Sequence, residues 1–142
     1  ILIPTDGSPL ATKAAKAGIA LASALGAKVT CCYVVEDLRP AFGPRHGVDR
    51  QMVTEYNERA RDVARKHIDA IGKFAARRGV PFTSVVATGH PPHAVIAAVA
   101  KTHRCDVVFM SPHGRSGLSR LMMGSVTQKV LLDSALPVVV YR

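Results

Sequence analysis

Short aliphatic runs alternate with longer stretches whose apolar residues recur every three or four positions, and this rhythm restricts the fold more than any other feature. Residues 1–5 (Ile-Leu-Ile-Pro-Thr), 28–35, 80–87, 107–110 and 137–141 read as strands. Between them lie helical segments. The first opens with Ser8 as its cap and Pro9 at its first position, and stops at Gly26. The second runs from about 49 to 78 and ends at Gly79, the third from 94 to 102, and the fourth from 125 to 133. Their apolar stripes are Ala14, Ala17, Gly18, Leu21 and Leu25; then Val53, Tyr56, Ala60, Val63, His67, Ile71 and Phe74; then Val95, Ile96 and Val99. In the second strand Val29, Cys31, Tyr33 and Val35 share one face. Residues 38–48, with Pro40, Gly43, Pro44 and Gly47, read as an irregular loop. Strands that alternate with helices need crossovers, so the expected architecture is α/β: an open five-stranded parallel sheet with helices on both faces.

The 142 residues suit one domain spanning 1–142. The apolar fraction is 48%, without Trp and with few other aromatics, which gives an aliphatic core suited to buried parallel strands. No apolar run approaches the ~20 residues needed to cross a bilayer, and the N-terminus lacks the parts of a signal peptide. A cytoplasmic protein with no membrane partner is therefore expected. The chain opens inside an apolar run without an initiator Met, so a few residues are expected to precede Ile1. Cys31, Cys32 and Cys105 form no CxxC pair and read as reduced, buried thiols. The net charge of +9 suggests attraction to anions. Its cations concentrate in the long helix, yet Glu55, Glu58, Asp62 and Asp69 are interleaved with them. That pattern reads as a solvated helix face, and nucleic acid is not expected as a partner.

In open parallel sheets, ligands bind beyond the carboxyl ends of the strands, where the strand order reverses. Two segments could supply that crevice: Pro4-Thr5-Asp6-Gly7-Ser8 after the first strand, and Ser111 to Ser125 after the fourth. Ser125 and Gln128 have the spacing of a capping box, which starts a helix at Ser125. The free N–H groups and dipole of a helix start favour an anion, and Gly114 and Gly124 would let a phosphate approach the backbone. On spacing alone Gly114 and Gly117 could equally serve only tight turns and Ser125 only a cap; position after a buried strand favours the anion site.

The stretch from His113-Gly114-Arg115 through Gly117 to Gly124-Ser125-Val126 closely resembles the nucleotide-binding signature of the universal stress protein family. There, two glycines three apart are followed nine residues later by Gly-Ser or Gly-Thr. The opening Pro-Thr-Asp-Gly-Ser, Gly89-His90-Pro91 and the closing Pro137-Val138-Val139-Val140 resemble that family too. The resemblance implies an adenine nucleotide alpha hydrolase-like, Rossmann-like fold with ATP, or AMP or ADP, held between the first and fourth strand ends, and Mg²⁺ accompanying the phosphates. It sets Asp6 near adenine and ribose, flanked by Pro4 and Thr5, with Val34 and Val35 matching the backbone and apolar contacts to adenine. Gly114, Gly124, Ser125 and Val126 match the phosphate cradle, with Ser111 and His113 beside the ribose and α-phosphate, and Arg115 near them. The family's first glycine falls at Ser111, whose Cβ would narrow the loop and make a left-handed backbone costly. The resemblance further implies a homodimer, formed through residues 137–141, and a regulatory role in stress response.

Catalytic alternatives lack their motifs. The Ser-Gly-Gly loop of ATP pyrophosphatases is absent after the first strand, and no Walker-type Gly-Lys-Ser or Gly-Lys-Thr occurs. His90 and His93 follow the third strand rather than the first and read as solvent-facing residues of a turn, with no third metal ligand in sight. Ser116 and Ser119 lack a nucleophile-elbow context. No acid is placed to orient His113 as a base, so at most slow ATP hydrolysis is expected. A non-nucleotide-binding dimeric interaction module of the same family is the competing reading.

Overall fold

The computed structural model describes residues 1–36, 50–115 and 123–142. The loop expected at 38–48 and the stretch 116–122, which includes Ser116, Gly117, Ser119 and Arg120, lie outside the described residues. The described elements follow in the order β1 (Leu2–Pro4), α1 (Pro9–Leu25), β2 (Val29–Val35), α2 (Arg50–Ala76), β3 (Phe82–Thr88), α3 (Pro92–Thr102), β4 (Val108–Met110), α4 (Ser125–Asp133) and β5 (Val138–Val140). The strands form one parallel sheet in the order β3-β2-β1-β4-β5. β1 pairs Leu2 with Thr30 on one side and with Val108 on the other. Strand order therefore reverses between β1 and β4, where the ends of two adjacent strands diverge into separate loops.

The sheet divides two cores. One holds Val29, Cys31, Tyr33 and Val35 of β2 against Ala15 and Ile19 of α1 and Ala64, Ile68 and Ile71 of α2. The other packs Leu2, Cys32, Val108 and Met110 against Ile96 and Val99 of α3 and Val130 of α4. Adjacent Cys31 and Cys32 thus point to opposite faces, as the period of two requires. Burial pushes both thiols up, Cys32 to about 12, because a thiolate in an apolar interior loses its hydration. Cys105, expected to be buried, is partly exposed.

Two helix faces differ in part from the sequence reading. In α1 the sheet-facing residues are Ala11, Ala14, Ala15, Gly18, Ile19 and Ala22, whereas Leu25 is 66% exposed and Leu21 also reaches solvent. A Cβ at Gly18 would come within 2.9 Å of Ile3 Cδ1 and 3.0 Å of Phe109 Cδ1. At Gly18 the helix comes so close to the sheet that a side chain would clash, Ile19 packs into the core beside it, and Leu21 and Leu25 turn outward. In α2, Ala64 and Ala75 likewise take fully buried places, while Tyr56 and Val63, assigned to the core stripe, are 53% and 43% exposed. Arg59 with Glu55 and Arg65 with Asp62 form exposed ion pairs on this helix, the solvated face expected from its charge pattern.

Helix ends are also specified locally. Ser8 Oγ accepts from Ala11 N at 3.2 Å, and Gly26 takes the left-handed conformation that a helix stop favours. No described helix is long and apolar enough to cross a membrane.

Candidate functional site

The loops after β1 and β4 meet through one carboxylate. Asp6 Oδ1 accepts from Ser8 N at 3.0 Å, an Asx turn that leads the chain from β1 into α1. Asp6 Oδ2 accepts from Arg115 N at 2.7 Å. The turn is closed further by Gly7 N, which donates to Thr5 Oγ1 at 3.2 Å. Asp6 therefore ties together two segments 109 positions apart.

The β4 loop is pinned at its other end too. Gly124 N donates to Pro112 O at 2.8 Å, and Thr127 Oγ1 donates to the buried Ser111 carbonyl at 3.1 Å. Gly114 is demanded by close packing and Gly124 is tightly surrounded. A Cβ at Gly114 would collide with Asp6 Oδ2, and one at Gly124 would lie 3.2 Å from His113 Cα and 3.3 Å from His113 Cβ. Neither glycine has a positive φ, so it is space and not backbone conformation that favours them. Ser111 also lies outside the left-handed region, which removes the backbone cost expected from its Cβ.

The capping box expected at Ser125 and Gln128 does not form. Gly124 is the N-cap, with extended backbone and no side-chain hydrogen bond to the helix, and Ser125 is the first helical residue. The register moves by one because the Gly124 carbonyl accepts from Gln128 N at 2.9 Å, while the Gln128 side chain donates to Met123 O. The first turn of α4 is thereby left without a side-chain acceptor, and the Ser125 hydroxyl is exposed.

Between these loops opens a cleft of about 640 Å³. Pro4, Thr5 and Asp6 line it from β1, and Ser111, His113, Gly114 and Arg115 from the β4 loop. Gly124, Ser125 and Val126 line it from the start of α4, and Val34 from β2. Val35 is absent from this lining, since it points into the α1/α2 core and its carbonyl accepts from Gly89 N. Tyr33, Glu36, Ile96, Met110 and Thr127 also line it and were not singled out by the sequence. The apolar part of the wall comes from Val34, Ile96 and Met110, and the polar part from the loops and the α4 start. A smaller hollow of about 540 Å³ adjoins it, sharing His113, Gly114 and Arg115 and bounded by Leu10 and His67.

Arg115 crosses to β2, where its Nη2 donates to Tyr33 Oη at 2.7 Å and its guanidinium lies 5.9 Å from the Tyr33 ring centroid. Burial pushes the Tyr33 phenol up, against the lowering pull of Arg115. Tyr33 also stacks on His67 with ring centroids 6.2 Å apart. His113 Nδ1 is buried and has no hydrogen-bond partner. His93, expected to face solvent, is mostly buried and approaches Asp133 at 3.5 Å, whereas His90 is exposed. Among the described residues no group of three or more His, Cys, Asp or Glu side chains could hold a metal.

This is an α/β protein with a ligand-sized cleft at the switch point of a parallel sheet, apolar at one end and rich in backbone donors at the other. The model of the universal stress protein family matches residues 1–142, and the chain belongs to that family. Universal stress protein MJ0531 of Methanocaldococcus jannaschii is 31% identical over 143 residues, covering all of this chain and 81% of the relative. Among solved structures, UspA from Lactobacillus plantarum superposes with a TM-score of 0.84 at 25% identity, covering 99% of this chain and 95% of the other. MJ0577 of Methanocaldococcus jannaschii superposes with a TM-score of 0.83 at 25% identity, covering 98% and 92%.

Proposed function

We propose that this protein binds an adenine nucleotide, ATP or its ADP and AMP forms, in the switch-point cleft, and acts as a cytoplasmic nucleotide-responsive regulator in stress response rather than as an enzyme. The observation that carries the reading is the start of α4. Its first-turn N–H groups have no side-chain cap and open onto the same cleft whose far wall is Val34. Phosphate oxygens suit the first, and the flat face of a purine suits the second. Mg²⁺ would arrive with the phosphates, since it keeps several of its waters and needs few protein carboxylates. Solved structures of this fold include a universal stress protein in complex with cAMP, at 17% identity, and one from Archaeoglobus fulgidus in complex with dAMP, at 15%. At those identities they speak for the fold, and the chemistry of this cleft must carry the rest.

The competing reading, an interaction module that binds no nucleotide, drew its force from Ser111 in place of glycine. The backbone of Ser111 gives it little support. In both readings the protein is a homodimer through β5, an edge strand with Val139 39% exposed, which can pair with a second copy. Light scattering at micromolar concentration should give twice the chain mass; a monomer contradicts the dimer. For the nucleotide, Mg-ATP at a hundredfold excess over its dissociation constant should stabilise the fold by about 2.7 kcal/mol. A melting temperature unmoved by millimolar Mg-ATP rejects the reading.

A further inference from the structure

Arg115 carries a permanent charge on a neutral partner. Its guanidinium donates to the Tyr33 phenol, and among the described residues no carboxylate is paired with it. Asp6, the acid that meets this loop from β1, uses one oxygen to accept from Ser8 N and the other to accept from Arg115 N. That second bond fixes the Arg115 backbone at the rim of the cleft and leaves the side chain as the movable part. The side chain is exposed and borders both the cleft and the adjoining hollow, so it has room to turn. Arg115 is also the only Lys or Arg among the described cleft-lining residues, which include the carboxylates of Asp6 and Glu36. A guanidinium binds a phosphate in a charge-assisted, two-point geometry that a single phenol oxygen cannot match.

We propose that the Tyr33 hydroxyl competes with the phosphate chain of a bound nucleotide for the Arg115 guanidinium, so that Arg115 reads phosphate number and Tyr33 restrains affinity. The proposal rests on the nucleotide reading above and adds to it a specificity residue and a positioning residue. Its signature is a pair of effects opposite in sign. Removing the guanidinium weakens polyphosphate binding, whereas removing the phenol hydroxyl strengthens it, because the bound state then loses no Arg115–Tyr33 bond.

The test is calorimetric titration of the full chain with AMP and with Mg-ATP in wild type, Arg115→Gln, Arg115→Lys and Tyr33→Phe. Arg115→Gln should lower ATP affinity about tenfold or more and AMP affinity less than about threefold. Arg115→Lys, which keeps the charge without the fork, should fall between. Tyr33→Phe, which keeps the ring in its packed place, should raise ATP affinity about threefold and leave AMP unchanged. Melting curves confirm that each variant is folded; if Arg115→Gln is not, Arg115→Lys carries the comparison. A fall in ATP affinity on Tyr33→Phe would show that the phenol merely buttresses the loop, and equal losses for AMP and ATP on Arg115 replacement would remove the phosphate-reading role. Either result overturns this inference and leaves nucleotide binding standing. A wild-type protein that binds neither ligand overturns both.

Discussion

Gly114→Ala should be costly out of proportion to one methyl group, because the new carbon meets Asp6 and not open space. Its Cβ would collide with Asp6 Oδ2 and lie 3.0 Å from Asp6 Cγ. The carboxylate must move, and it holds both Ser8 N at 3.0 Å and Arg115 N at 2.7 Å. A hydrogen bond to a charged group contributes about 1.5–3 kcal/mol. Water can partly replace the exposed Arg115 bond, so the combined loss comes to about 3 kcal/mol. For a chain of this size that corresponds to a fall in melting temperature of about 6–12 °C, readable by circular dichroism. The mechanism is separable by a double-mutant cycle. Asp6→Ala alone should cost a similar amount, and Gly114→Ala added to it should cost less than about 1 kcal/mol, since the collision is gone. A melting temperature within about 2 °C of wild type for Gly114→Ala, or an equal cost in both backgrounds, would refute the account of how these loops are joined.

Two further outcomes follow from the helix starts and the buried thiols. Ser8→Ala should lose about 1 kcal/mol, the usual value of a hydrogen-bonded N-cap, whereas Ser125→Ala should change stability by less than about 0.5 kcal/mol, because Ser125 does not cap α4; urea unfolding distinguishes the two. Stability should also fall as pH rises above 9. Cys31 and Cys32 hold their protons more tightly folded than unfolded, with Cys32 pushed up to about 12 by burial. Between their unfolded and folded values the unfolded chain binds fewer protons, so each thiol removes up to about 1.4 kcal/mol per pH unit. Unfolding measured at pH 8 and pH 10 should show a shallower decline in Cys31→Ala/Cys32→Ala than in wild type; identical declines contradict this.

The element order was legible in the sequence because each strand is a short aliphatic run and each helix carries its own periodicity and end signals, Ser8-Pro9 and Gly26 among them. Which helix face meets the sheet was less legible. Bulk is a good marker of burial where elements stand apart, and a poor one where Gly18 lies against Ile3 and Phe109. There, Leu21 and Leu25 turn outward while Ala15 and Ile19 meet the sheet. At the site, both loops were legible from their position after β1 and β4. The bond between Asp6 and Arg115 was not, since nothing in either segment records a partner 109 positions away. Tyr33 was overlooked for the same reason: it reads as a core residue by strand alternation, and only the fold reveals that its hydroxyl reaches Arg115. Val35 shows the opposite case, where alternation alone already set it on the face away from Val34.

We propose the α4 start and the cleft it opens onto as the binding site of an adenine nucleotide. Calorimetric titration of wild type and Gly124→Val with ATP and Mg²⁺ tests it most directly. A Cβ at Gly124 would already lie 3.2 Å from His113 Cα, and a valine there would stand where a phosphate is proposed to approach the helix. Saturable heat in the wild type, lost in a Gly124→Val protein that still melts cooperatively, is the result the account predicts. No heat from the wild type at millimolar ATP, or undiminished binding by Gly124→Val, would contradict it.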